Sequence, residues 1–422
     1  MEPKISYNLP RSAPATPIAL PTFRVEPDWE QKLDILGNGA ADDLACQSCA
    51  ANPNAGVVTH RAHQPIAAKD KVRPKDLRPW LSDATRSDGK RIKLVKTLMT
   101  SACEKDCYYC ATRRGRNRLR RETFKPEELA KGFNIIHRRG IADGIFLSSG
   151  VIGGGTRTME KTIAAIEILR RKYEYRGYVH LKLMPGAETA AVERALQLAD
   201  RVSVNLEAPN SERLAKLTGT KIFTEELMAP MRDARMLMKK YPHLARVSMT
   251  TQLIVGAAGE SDREIVTTAT QVYRELELGR IYYSAFHPII DTPLENHAPT
   301  DPLREFRLYQ TDFLLRQYGF TYEELIFDNN GNLPLQHDPK TAWALHHPEH
   351  FPLEINRATR EELLRVPGLG PTSVNRILQL RHNHKLNTIQ ELKQLGADTQ
   401  RALPFILLNG KHPTHQLPLF SA

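Results

Sequence analysis

The chain has 422 residues, of which 41% are hydrophobic, and 59 Lys and Arg against 48 Asp and Glu give a formal net charge of +11. That length bounds two or three domains, and the hydrophobic share is ordinary for a globular protein. No apolar run approaches the roughly 18–20 residues of a membrane span, and five cysteines, three of them on one short stretch, do not make a disulfide framework.

Residues 1–27 are rich in Pro, Ala and Thr without periodicity and read as a loose arm. The start lacks the charged residues and apolar core of a secretory signal, so a cytoplasmic protein is expected. A short helix is expected over Trp29–Leu36. Cys46-Gln-Ser-Cys49 and His60-Arg-Ala-His63 follow. They read either as a small zinc site or as an unligated lead-in, since the spacing falls short of the finger pattern.

From Lys90 to about Pro293 apolar strands alternate with amphipathic helices, the pattern of βα units on a parallel sheet. Strands are expected at Ile92–Leu98, Gly144–Ser149, Val179–Met184, Val202–Leu206, Arg246–Val255 and Arg280–Ala285. Helices are expected at Pro126–Arg139, Thr158–Arg171, Glu188–Leu198, Glu225–Lys239 and Ser261–Glu277. About 200 residues are too few for a complete eight-stranded barrel. One face of these strands is polar: His180 and Lys182, and Ser203 and Asn205, alternate with Val and Leu, and Ser248, Thr250 and Gln252 share one face of their strand. Side chains alternate with period two, so the polar set faces the inside of the curl, where it needs a polar ligand or water.

The loop after the first strand carries Cys103, Cys107 and Cys110 at Cys-x3-Cys-x2-Cys spacing. Thiolates are soft ligands, suited to zinc or an iron–sulfur cluster. A closed zinc site needs four ligands, whereas three cysteines on a cubane cluster leave one iron open. The spacing, with Tyr109 before the last cysteine, resembles the radical S-adenosylmethionine (SAM) superfamily. That resemblance implies a partial (βα)6 TIM-like barrel in the α/β class, a [4Fe–4S] cluster on Cys103, Cys107 and Cys110, and SAM on the open iron. It implies reductive cleavage of SAM to a 5′-deoxyadenosyl radical, with a flavodoxin or ferredoxin as electron donor.

Cofactor contacts are expected at strand ends. Tyr109 would border the adenine. Ser148, Ser149 and Gly150 stand where superfamily members often have Gly-Gly-Glu, so no carboxylate is supplied there. Lys182, Asn205, Glu207, Gln252 and Gly256 complete the expected cofactor set. Gly153-Gly154-Gly155 reads as a loop, with a phosphate cradle as the alternative. The stretch 113–121 holds Arg113, Arg114, Arg116, Arg118, Arg120 and Arg121, read as a phosphate tether beside the cluster or as a solvated face.

The C-terminal part contains Thr359-Arg-Glu-Glu362, then Pro367-Gly368-Leu369-Gly370 and Pro371, a capped helix, a tight turn and a second helix start. This resembles a helix-hairpin-helix DNA-binding motif, and Thr388–Leu408 a partner hairpin. The resemblance implies phosphate contacts from Pro367, Gly368, Leu369, Gly370, Thr372 and Arg376. The order of parts resembles radical SAM proteins of DNA modification and repair. The expected division is a lead-in over 1–89, the partial barrel over 90–298, a helical connector over 299–350 and an all-α helix-hairpin-helix domain over 351–422. The expected function is radical modification or repair of DNA. An RNA-modifying radical SAM enzyme and a non-catalytic metal-bearing DNA-binding protein are the alternatives.

Overall fold

The computed structural model describes residues 27–40, 80–85, 89–116 and 119–413. Cys46, Cys49, His60, His63 and Arg118 lie outside them.

Helix α1 (Trp29–Gly39) packs on β2, and Asp28 caps it by accepting from Gln31 N–H. A strand pair follows, β1 (Leu81–Thr85) antiparallel to β2 (Arg91–Leu98). The βα units then run α2 (Pro126–Arg138), β3 (Gly144–Ser148), α3 (Gly154–Arg171), β4 (Tyr178–Lys182), α4 (Thr189–Leu198), β5 (Arg201–Ser203), α5 (Ser211–Ala215), α6 (Ala229–Lys240), β6 (Ser248–Val255), α7 (Asp262–Leu276) and β7 (Arg280–Ala285). Strands β1 to β7 form one sheet in sequence order, with β2 to β7 parallel. The extra strand β1 was not expected. Its sequence, Leu-Ser-Asp-Ala-Thr, lacks apolar alternation, and it forms because it can pair with the open edge of β2.

Helix starts follow local chemistry. Pro126 opens α2, and Glu128 accepts from Lys125 N–H. Ser261 and Glu264 form a capping box on α7. A π-helical turn over Phe223–Met228 leads into α6, where a plain helix was expected.

The two faces of the sheet divide as the alternation requires. Val95, Ile145, Leu147, Val179, Leu181, Val202, Met249 and Ile281 enter the main core under the helices. Lys96, His180, Ser203, Thr250 and Gln252 point the other way and are also buried, so the inner face is closed at mid-height. His180 Nε2 lies 2.9 Å from Ser203 Oγ, and its ring packs on Phe146 at 4.5 Å. Burial first, then the charges of Arg201, Lys182 and Lys96, hold this histidine well below its usual range, hence neutral.

A second core joins the C-terminal elements: α8 (Pro302–Gln317), α9 (Pro339–His346), β8 (Leu353–Glu354), α10 (Arg360–Arg365), α11 (Pro371–Leu380), α12 (Ile389–Gln394), α13 (Thr399–Ala402) and β9 (Ile406–Leu407). Leu314, Tyr318 and Trp343 of the connector share it with Leu363, Leu369, Val374, Ile377 and Leu392. The tail is not purely helical, because β8 pairs with β9 in parallel and ties its two ends together. No helix among the described residues is long and apolar enough to cross a membrane.

Candidate active site

A cavity of about 160 Å³ opens at the C-terminal ends of the strands. Cys103, Cys107, Tyr109 and Cys110 line it from the loop after β2, and Ser148, Ser149 and Gly150 from the end of β3. Lys182, Asn205, Glu207 and Gln252 complete most of the expected set. Gly256 is not among the lining residues; its N–H donates to Glu260 Oε1 in the turn after β6.

The cysteine loop has little regular structure and is held from outside. Lys105 Nζ lies 2.7 Å from Glu226 Oε1 and donates to Thr220 O at 2.9 Å. Asp106 accepts from Thr218 Oγ1 at 2.6 Å, Thr220 Oγ1 at 2.7 Å and Gly219 N–H at 3.1 Å. Burial pushes its carboxyl up, but the Thr218, Thr220 and Gly219 bonds together outweigh it and leave it below the usual range. Glu104 accepts from the N–H groups of Gly153 at 2.8 Å and Gly154 at 3.0 Å, at the start of α3. A helix start attracts an anion, and here the chain's own carboxylate takes the place a phosphate cradle would offer. Gly150 completes the fit: its N–H donates to Thr100 O at 2.7 Å, and a Cβ there would stand 2.2 Å from Ala102 O. A bulkier residue in place of this glycine would push the two loops apart.

Among the described residues no three His, Cys, Asp or Glu side chains are grouped to hold a single metal ion. The cysteines surround a cavity instead, which suits a cluster. Val151 N–H donates to Cys103 Sγ at 3.4 Å, Thr112 N–H to Cys110 Sγ at 3.4 Å, and Thr112 Oγ1 lies 3.2 Å from the same sulfur. Such bonds set the electronics of a cluster's sulfur ligands. Burial first, then Cys107, pushes the Cys110 thiol up to about 12, and burial also raises Cys107. Burial disfavours the thiolate at Cys107 and Cys110, and the irons of a cluster would supply positive charge to offset it. The donor set therefore fits the group.

Glu207 and Lys221 form a buried pair at the cavity wall, Oε1 to Nζ 3.0 Å, each side chain 8% exposed. Burial pulls Lys221 down, but Cys107 and Glu207 raise it further, so it stays charged. Tyr109 OH stands 3.5 Å from the same Nζ, and burial followed by the Glu207 charge keeps the phenol protonated. Glu207 has φ +64°, a left-handed conformation for a non-glycine residue. It is locked there by Glu207 N–H to Gln252 O at 3.0 Å and Ile254 N–H to Glu207 O at 2.8 Å. Strain of this kind is held where a side chain must be aimed. Sequence reasoning found Glu207 and missed Lys221, which no motif marks and which a loop after α5 delivers.

The arginine run divides. Arg114 and Arg120 are 58% and 59% exposed, near Asp106 and Glu122. Arg113 donates to Asp106 O, and Arg116 to Ala111 O and Ile290 O. Arg121 is spread over backbone carbonyls of the cysteine loop. A uniform phosphate tether is therefore not what these residues form.

The tail needs a larger correction. Pro367, Gly368, Leu369 and Gly370, expected to meet phosphate, are buried, while Thr372 and Arg376 are exposed. Gly368 (φ +82°) packs so closely that a Cβ would stand 2.3 Å from Asp398 O, and its carbonyl accepts from Asp398 N–H at 2.9 Å. Buried Lys340 of α9 donates to Leu369 O, and Gly370 N–H donates to Ser373 Oγ at 2.9 Å. The turn's glycines serve packing between the two helix pairs.

The family model described as "Radical SAM superfamily" matches residues 97–272. Among solved structures, the chain is similar to the FeFe-hydrogenase maturase HydG from Carboxydothermus hydrogenoformans, at 14% identity and a TM-score of 0.42, over 53% of this chain and 51% of that one. Methylornithine synthase (PylB) gives 14% and 0.42, over 53% of this chain and 61% of that one. Coproporphyrinogen III oxidase (HemN) from Escherichia coli gives 13% and 0.35, over 53% and 52%. The chain thus spans between 51% and 61% of the length of these structures. No curated protein matches it. The radical SAM superfamily match thus covers residues 97–272, less than half of the chain, and that stretch includes the loop of Cys103, Cys107 and Cys110.

Proposed function

We propose that the chain is a cytoplasmic radical SAM enzyme that modifies or repairs a nucleic acid, with DNA as its substrate. The proposed division is a lead-in over 1–89, a catalytic barrel over 90–298, a connector over 299–350 and a nucleic-acid-binding tail over 351–422. Cys103, Cys107 and Cys110 would hold the cluster, and the strand-end residues of the cavity would hold SAM. When bound, these cofactors supply a hydrogen-abstracting radical; an electron donor such as a flavodoxin or ferredoxin is required. Lys221 and Glu207 orient polar groups at the wall, and the closed inner face keeps bulk water from below.

The observation that supports a nucleic acid is the tail of paired short helices, α10 with α11 and α12 with α13, bearing exposed Thr372, Arg376, Lys385 and Lys393. A base or sugar must reach the cavity, so duplex DNA would have to be flipped or locally open. The buried turn favours a second reading, in which the tail only packs and the substrate is small.

Binding of fluorescent DNA duplex, DNA single strand and tRNA at two salt concentrations separates these readings. The proposal expects DNA to bind most tightly, and Arg376→Gln with Lys393→Gln to lower the salt slope by about 2. Preference for tRNA would move the reading to RNA. Equal and salt-insensitive weakness toward all three would leave the tail as a packing unit.

A further inference from the structure

We propose that Arg121 is a positioning residue for the cluster loop, and not a phosphate ligand. This rests on the reading of Cys103, Cys107 and Cys110 as cluster ligands. The loop leaves β2 and returns to α2 along an extended stretch. Ser101 N–H donates to Glu122 O at 3.0 Å, Phe124 N–H to Met99 O at 2.9 Å, and Thr100 bridges Thr123. The backbone of Arg121 is thereby fixed beside the start of the loop.

Its guanidinium then reaches both ends. Nη1 donates to Ser101 O at 2.7 Å, before the first cysteine, and to Thr112 O at 2.9 Å, after the last. Nη2 donates to Arg113 O at 2.6 Å and lies 3.5 Å from Arg116 O. Thr112 is also the residue whose N–H and hydroxyl touch Cys110 Sγ, so the carbonyl that Arg121 holds belongs to the residue that sets the last ligand. Inside the loop the backbone bonds are few: Cys110 N–H to Cys107 O at 3.2 Å, Arg113 N–H to Cys110 O at 3.3 Å and Arg114 N–H to Lys105 O at 2.9 Å. Three sulfurs must be held to about 0.5 Å for one cluster, and loops do this poorly without support. A planar fork of five donors on three nitrogens can span carbonyls that lie apart; an ammonium, with its three donors on one atom, reaches fewer and only adjacent ones. The same geometry leaves Arg121 no free Nη edge to grip a phosphate.

The test compares the full chain with Arg121→Met, Arg121→Lys and the control Arg139→Met, an exposed arginine outside the loop, all prepared without oxygen. Amide hydrogen exchange of residues 101–116 is read before and after cluster reconstitution. Iron release to a chelator and the electron paramagnetic resonance of the reduced cluster, with and without SAM, are read afterwards. Both Arg121 variants should exchange faster over 101–116 while β6 and α7 stay protected. Both should release iron about 10-fold faster and alter the resonance, whereas Arg139→Met follows the parent. Parental exchange and iron release in Arg121→Met would overturn the proposal, as would full rescue by Arg121→Lys, which would make charge and not the fork responsible. A parent chain that takes up no cluster would sink the cluster reading, while exchange in the apo chain still decides whether Arg121 fixes the loop.

Discussion

Two short loops invite the same kind of sequence reading, and the structure uses them in opposite ways. The loop of Cys103, Cys107 and Cys110 opens onto a cavity, with Glu104, Lys105, Asp106 and Arg121 turned aside to anchor it. The turn Pro367–Gly370 is buried, with its carbonyls committed to Asp398 and Lys340. The difference lies in what surrounds them. Ligand spacing on a loop at a strand end is local, and the sheet delivers it to the ligand side. Whether a glycine turn faces solvent depends on what packs over it, here α9 and the second helix pair, which no local pattern announces.

The comparison predicts that removing a cysteine ligand abolishes chemistry without melting the fold, that tail substitutions do the reverse, and that the buried Glu207–Lys221 pair at the cavity wall affects stability as well. The largest effect is expected for Cys107→Ala. 5′-Deoxyadenosine formation should fall to background with little change in thermal midpoint; product above background would break the assignment of that ligand. Next is Lys221→Met, which leaves the buried Glu207 carboxyl without its partner. Breaking such a pair costs about 3–5 kcal/mol, read by denaturant unfolding, and Lys221→Met with Glu207→Met should recover part of it. If the double variant costs as much as the two single variants added together, the pair is not coupled. Gly368→Ala should destabilise the tail by about 1–3 kcal/mol, since its φ of +82° and the Asp398 carbonyl leave no room for a methyl group. An unchanged tail with lost DNA binding would instead show that the turn works in recognition.

The smallest effect concerns acid. Arg213 first, opposed by burial and aided by the Ser261 bonds, lowers the Glu264 carboxyl to about 2. A depressed carboxylate stabilises the fold above its unfolded range near 4.5, and that contribution fades as pH falls from there toward 2. Glu264→Gln should therefore cost about 1 kcal/mol at pH 7 and converge with the parent below that window. A gap that widens in acid would reverse the sign.

Much of the barrel was legible because its signals are local. Period-two alternation named the strands now seen as β2, β3, β4, β6 and β7, and separated Val179 and Val202 from His180 and Ser203. Pro126 marked the start of α2, and the expected start at Ser261 falls one residue before that of α7. Strand β1 was invisible because its stability comes from its neighbour and not from its own pattern. Within the site, Tyr109 was singled out by its place before Cys110, and Ser148, Lys182, Asn205, Glu207 and Gln252 by their places on the strands; all line one cavity. Lys221 and the anchoring of Arg121 were not, because both depend on where irregular backbone lands. Arginines written consecutively looked alike in sequence; only their carbonyl partners distinguish Arg121 from Arg114.

The central claim is that three cysteine sulfurs hold a cluster with one iron left for SAM. Anaerobic reconstitution followed by Mössbauer and electron paramagnetic resonance spectroscopy tests it directly. The account predicts about four irons per chain and a reduced-cluster signal that changes when SAM is added. Stoichiometric zinc in place of iron, or a cluster signal indifferent to SAM, would contradict it.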